Sequence, residues 1–147
     1  MNQTPDDQSM ALASGIAAYE SKQFSRAVGL LRPLAEAGEA QAQYRVAIMA
    51  QNGLGMQPNP LLAYRYMHAA AVAGLGLAQH GLGFMYLEGE CTAPDPQRAA
   101  AWFHKAADQG LAGAQSILAN LYEDGRGVPQ DPAEAARWRA LAGFDER

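Results

Sequence analysis

The sequence predicts an all-α protein assembled from repeated helix pairs, and three observations carry that expectation. Alanine fills 31 of the 147 positions, whereas valine, isoleucine and threonine together fill only 9, a composition that favours helices over pleated strands. Shifting the chain by 36 residues superimposes the windows 39–74, 75–110 and 111–146 without a gap, the mark of stacked supersecondary units. Each window also holds an Asn-Pro or Asp-Pro pair, at Asn59-Pro60, Asp95-Pro96 and Asp131-Pro132. Such a pair starts a helix, because the Asn or Asp side chain accepts orphan amide protons and proline at the first helical position gives up no needed donor.

Taken in order, residues 1–8 are polar and are expected to form a flexible N-terminal segment. Residues 9–38 read as a divergent first unit, since Ala27 stands 36 before Ala63 and Gly38 stands 36 before Gly74. Gly15, Tyr19, Phe24 and Ala27 fit a helix over about 9–20, a turn at Ser21-Lys22-Gln23 and a helix over about 24–37, with a kink expected at Pro33. In the window 39–74 the first helix, over about 39–52, places Ala42, Val46, Ala47, Met49 and Ala50 on one face. It ends at Gly53, where glycine takes the left-handed conformation cheaply. The second helix runs from Asn59-Pro60 through Ala63, Tyr66 and Ala70 to Gly74, its alanines allowing close approach to the first.

The units 75–110 and 111–147 repeat this plan, so that 9–147 forms a single domain. Six positions are identical in all three windows, and an aromatic recurs at Tyr66, Trp102 and Trp138 to fill the gap between repeats. Gln43, Gln79 and Gln115 are invariant among them and are expected to bond the backbone of a neighbouring helix end.

The run Ala114, Gln115, Ala119, Tyr122, Gly125, Gly127, Val128, Asp131, Ala135 and Trp138 closely resembles the SEL-one-like repeat (SLR), a longer-looped relative of the tetratricopeptide repeat. About 110 residues follow the pattern; the first unit is closer to a plain tetratricopeptide hairpin. The resemblance implies a right-handed α-solenoid of about 3.5 antiparallel helix pairs with the first helix of each pair on the concave side. It also implies a scaffold or adaptor for other proteins, in a family with many bacterial members. Two positions depart from the pattern: Ala50 stands where an aromatic is usual, and Cys91 where glycine is usual.

Charge and motifs exclude several functions. A net charge of −4, from 11 basic and 15 acidic residues, argues against nucleic acid, which needs a basic surface to release counterions. Cys91 is the one cysteine, so neither an internal disulfide nor a multi-cysteine zinc site holds the fold. No charged leader with an apolar run, and no stretch of about 18 apolar residues, is present, so a soluble, cytoplasmic chain without membrane insertion is expected.

No catalytic or cofactor-binding residues are assigned. Gly53-Leu54-Gly55 and Gly125-Arg126-Gly127 imitate phosphate loops only in composition, since each lies between two helices. His68 and His104 are repeat equivalents, too far apart to share an ion, and together with His80 they read as surface histidines. Cys91 is an enzymatic nucleophile only if an unseen neighbour activates its thiol.

What remains is a binding surface. If Ala47, Gly83 and Ala119 pack against the second helices, the residues three before and one after each face the concave groove. These are Tyr44 and Ile48, His80 and Phe84, Ser116 and Asn120, to which the first unit adds Leu12 and Ile16. The groove is then apolar and aromatic toward its N-terminal part and polar toward its C-terminal end, unless these side chains pack on each other as core. Glu88, Glu90, Glu123 and Asp124 stand at first-helix ends, where the helix dipole disfavours negative charge by about 0.3–1 kcal/mol; Glu88, Glu123 and Asp124 would steer a basic protein or peptide segment into the groove.

Trp138, Leu141 and Phe144 are expected to leave an apolar edge at the last unit, screened in part by Arg137 and Arg139 or covered by a second copy. The expected function is therefore a non-catalytic adaptor, with a structural subunit or homodimer joined at that edge as its rival.

Overall fold

The computed structural model describes residues 4–143 and contains, among them, eight helices and no strand. They are α1 (Pro5–Glu20), α2 (Phe24–Glu36), α3 (Ala40–Asn52), α4 (Pro60–Val72), α5 (Gly76–Glu88), α6 (Pro96–Asp108), α7 (Ala112–Asp124) and α8 (Pro132–Leu141). The expected all-α class and helix-pair plan hold, and the first unit completes a whole hairpin. The helices fall into two compact units, Met1–Leu75 and Gly76–Arg147.

The first unit contains α1–α4. Helices adjacent in sequence pack on each other, and α1 also reaches α3. Its core gathers Ala18, Leu31, Leu34, Val46 and Met49, with Leu12, Tyr19, Phe24 and Tyr66 packed around them. One expectation fails here: residues 5–8, read as loose, form the first turn of α1. Thr4 accepts from the Asp7 amide and Asp7 accepts from the Thr4 amide, a capping box that satisfies two orphan donors at once. α2 runs past Pro33 to Glu36.

The second unit contains α5–α8, again with each helix on the next. Leu82, Met85, Tyr86, Leu87, Phe103, Leu118, Leu121 and Trp138 are its larger buried side chains.

The repeat is reproduced bond by bond. Asn59 and Asp95 cap α4 and α6 by accepting from the amides of Leu62 and Arg98, both at 3.1 Å, and Asp131 caps α8 from the amides of Ala133 and Glu134. The same three residues donate their own amides to the carbonyls of Ala50, Tyr86 and Tyr122 at 2.7–2.9 Å, returning each loop to its first helix. Gln43 donates to the Ala35 carbonyl at 3.2 Å and Gln115 to that of Ala107 at 3.1 Å. Gln43 and Gln115 thus tie one hairpin to the end of the preceding one, each adding a second donor to a helix C-terminal carbonyl that also accepts from the amide of Gly38 or Gly110. Gln79 accepts from the Gln109 side chain at 2.9 Å.

The loop glycines explain the odd residue. Gly127 has φ +75°, and a Cβ there would lie 2.1 Å from the Pro96 carbonyl oxygen; at Gly55, φ is +69° and the nearest atom, the Phe24 carbonyl carbon, would be 2.4 Å away. Only glycine allows so close a backbone approach. Cys91 occupies the equivalent position and is held at φ +65°, a conformation that costs a side-chain-bearing residue about 1–2 kcal/mol.

Candidate functional site

The first-helix faces carry the candidate residues, and the second unit draws some of them into a built cluster. On α5, His80, Phe84 and Glu88 follow at four-residue spacing and share one face. The His80 and Phe84 rings meet edge to face with centroids 5.0 Å apart. Phe103, on α6, completes a triangle at 5.7 Å from His80 and 5.2 Å from Phe84. Phe103 is fully buried while Phe84 is 39% exposed, so one ring is the floor and the other the surface.

This cluster exists because position 83 is glycine. A Cβ on Gly83 would sit 2.9 Å from the Phe103 ring, tighter than packed carbon atoms tolerate. The expected packing of the small first-helix residue on the second helix is therefore found at Gly83, and its smallness admits a large ring. Phe103, the floor of this cluster, is a residue that the sequence reading did not single out; the one available signal was glycine in place of the alanine at 47 and 119.

His80 is not the surface histidine expected. It is half-buried, and its Nε2 is enclosed with no hydrogen-bond partner among the described residues. The first turn of α7 faces the imidazole: a Cβ on Gly113 would lie 3.6 Å from Cε1 and 3.8 Å from Nε2. Burial draws the imidazole below its ordinary pKa, so the neutral form prevails at pH 7.

On α7, Ser116, Asn120 and Asp124 follow the same spacing, Ser116 half-buried and the other two exposed. Glu123 departs from expectation. Arg139 of α8 bonds its carboxylate and also donates to Asn120 Oδ1 at 3.3 Å, so Glu123 is already neutralised within its repeat. Glu88 and Asp124, also exposed, are the last residues of α5 and α7. Arg126 donates to the Leu87 carbonyl beside Glu88 at 3.2 Å, a cation where the α5 dipole favours one.

In the first unit, Leu12 packs against the core and lines a cleft of about 360 Å³ with Pro5, Gln8, Ser9, Leu34 and Glu39. Ile16, Tyr44 and Ile48 are half-buried. Arg45 stands 5.9 Å from the centres of both the Tyr19 and Tyr44 rings, placing a cation over an aromatic pair; the sequence reading had not singled out Arg45.

The apolar edge expected at the last unit is closed at Trp138 and open at Leu141. Trp138 is 3% exposed, with the Arg137 guanidinium 4.6 Å from its ring centre and His104 edge-on at 5.3 Å. The arginine screen thus falls to Arg137, whereas Arg139 turns to Glu123. Leu141 is exposed at 56%, and Phe144 lies outside the described residues.

Among the described residues no group of three His, Cys, Asp or Glu side chains could hold a metal ion, and no helix is long and apolar enough to cross a membrane. His104 pairs with Asp108 at 3.2 Å. Burial pushes the Cys91 thiol up, and Glu90 adds to the rise; this is the reverse of what an activated nucleophile requires.

Comparison with known proteins agrees with the geometry. The Sel1 repeat family model matches residues 40–75, 76–111 and 112–142. An antigen structure with an SLR fold, c5321 of uropathogenic Escherichia coli, is similar at 30% identity and a TM-score of 0.86, over 92% of this chain and 30% of that one. A Sel1 repeat protein from Oxalobacter formigenes is similar at 28% identity and a TM-score of 0.86, over 90% of this chain and 53% of that one. The chain therefore spans about a third and about half of the lengths of these two proteins. The Helicobacter pylori cysteine-rich protein B shares the fold at 19% identity and a TM-score of 0.65, over 82% of this chain and 86% of that one. No curated protein matches the chain significantly.

Proposed function

Because the chain belongs to the Sel1-repeat family, an all-α repeat family whose members commonly mediate protein–protein interaction, we propose that it is a non-catalytic adaptor that binds a protein segment on its first-helix faces. The observation that supports this reading most is Phe84. An aromatic ring 39% exposed, braced from below by a fully buried ring and from the side by an imidazole, is a rigid apolar anchor of the kind that dominates binding energy at interfaces.

The charge around it favours a basic partner. Glu88 stands two turns beyond His80 on the same face, and Asp124 occupies the equivalent place on α7; both are exposed. A segment with an apolar residue for Phe84 and a Lys or Arg toward the helix ends fits this arrangement. The rival, assembly through the last unit, loses Trp138, which is buried beside Arg137 and His104, and keeps Leu141, which is exposed.

Selection from a random peptide library tests the proposal. The chain is expected to enrich peptides that combine an apolar residue with Lys or Arg, and Phe84→Ala, with unchanged helicity, is expected to bind them at least tenfold more weakly. Glu88→Gln/Asp124→Asn is expected to weaken binding at low salt and much less at high salt. No enrichment, or enrichment that Phe84→Ala leaves unchanged, would overturn the reading.

A further inference from the structure

We propose that His80 is a proton-operated latch on this face: neutral, it fills the slot between Phe84, Phe103 and the first turn of α7, and when protonated it leaves that slot and releases Phe84. Geometry carries the inference. The imidazole touches rings on two sides, at 5.0 and 5.7 Å, and its Cε1–Nε2 edge faces Gly113, where a Cβ would just reach van der Waals contact. Nε2 is sealed from solvent without a partner. A neutral imidazole tolerates this by carrying its proton on Nδ1 and leaving the Nε2 lone pair unused. A second proton would place a charged N–H there with neither water nor an acceptor, an arrangement costly enough to favour movement over charge burial.

Among the described residues no carboxylate is paired with the imidazole. The groups that face the ring are Phe84 from its own helix, Phe103 from α6 and Gly113 from α7, all uncharged. The charged groups of these helices are engaged or stand at helix ends: Arg98 with Asp95, His104 with Asp108, Lys105 at 4.7 Å from the Trp102 ring centre, Glu123 with Arg139, and Glu88 and Asp124 at the C-terminal ends of α5 and α7. The direction of the His80 titration agrees, burial being the one cause at work on it. Phe84, half in solvent, loses one of its two ring contacts when the imidazole swings out.

Only the consequence for a partner rests on the adaptor reading, so the test is made on the free chain. In a side-chain NMR titration of the wild type, His80 is expected to titrate below the ordinary 6.5 of histidine. The Phe84 ring and Gly113 amide signals are expected to move with the same midpoint. A midpoint at or above 6.5, as an imidazolium stabilised on the phenyl faces would give, or Phe84 and Gly113 signals that ignore it, would overturn the latch.

Thermal unfolding supplies an independent reading. A histidine whose folded pKa is depressed contributes stability that is complete above its unfolded value and lost as pH falls toward the folded one. Melting of the wild type is therefore expected to drop more between about pH 7.5 and about pH 5 than melting of His80→Gln. Equal drops would overturn the proposal. If the variant does not fold, the wild-type titration still decides. A chain that binds no peptide but shows the coupled titration keeps the latch and loses the adaptor.

Discussion

The hairpins α5–α6 and α7–α8 share their caps, their loop return and their invariant glutamine, yet present different chemistry on the first helix. The difference traces to one pair of positions. In α5–α6 the second helix sends Phe103 against Gly83 and under Phe84, making an apolar floor. In α7–α8 the equivalent of Phe103 is Arg139 and that of Gly83 is Ala119, and Arg139 reaches Asn120 and Glu123 to make a polar, ion-paired surface. The second helix thus chooses the character of the face that the first helix displays, and the small residue between them sets how large a side chain can be sent through. A repeat protein can vary its surface in this way without touching the bonds that define the repeat.

The largest expected effect lies at Phe103. Phe103→Ala empties a fully buried site and is expected to lower unfolding free energy by about 3–5 kcal/mol in denaturant titrations. It also removes the brace of Phe84. A loss below about 1 kcal/mol would mean that the ring is not the floor of the cluster, and the contrast between the hairpins would collapse.

Next comes the partner position. Gly83→Ala gains up to about 1 kcal/mol of helix propensity but drives a methyl into the Phe103 ring, an overpacking cost of about 1–3 kcal/mol. A net loss is expected. In a Phe103→Leu background the same substitution is expected to become neutral or stabilising, with a coupling above about 0.5 kcal/mol in the double-mutant cycle. Additive effects would show that the glycine has no part in admitting the ring.

These predictions bear on how far the sequence was readable. Hairpin boundaries, the Asn59, Asp95 and Asp131 caps and the backbone role of Gln43 and Gln115 were legible because each is a local rule stated three times, so the repeat reinforced weak signals. The Thr4–Asp7 box occurs once, ahead of a divergent unit, and had no copy to support it. The Arg137 screen over Trp138 was legible too, both residues lying on one helix, but the side-chain pairs that cross between helices were not. Glu123 meets Arg139 across 16 positions, and His104 of α6 stands edge-on to Trp138; both depend on side-chain directions that periodicity does not fix. The setting of the His80 ring brings together Gly113, 33 residues away, and the Phe103 ring from another helix.

Cys91 sharpens the comparison at the level of the loops. Gly55 and Gly127 hold positive φ at no cost, whereas Cys91 holds +65° with a side chain. Cys91→Gly removes about 1–2 kcal/mol of backbone strain and returns part of it through the greater entropy of the unfolded glycine chain, about 0.5–1 kcal/mol. A small gain in stability is expected, of about 0.5–1 kcal/mol, visible as a rise of a few degrees in melting temperature. A fall would mean that the thiol makes packing contacts worth more than the strain.

The smallest effect on stability, and the most informative about function, is expected at Arg139. Arg139→Gln breaks an ion pair whose carboxylate is more than half exposed, and such pairs contribute about 0–1 kcal/mol, several-fold less than the ring at the equivalent position 103. The same change frees Glu123 to join Asp124 at the end of α7. If the partner is basic, the variant should therefore bind the selected peptides more tightly than the wild type at low salt, with the advantage fading as salt is raised. Tighter binding from a variant that gains no contact would identify the acidic helix end as part of the recognition surface. Unchanged binding at low salt would restrict recognition to the aromatic cluster on α5.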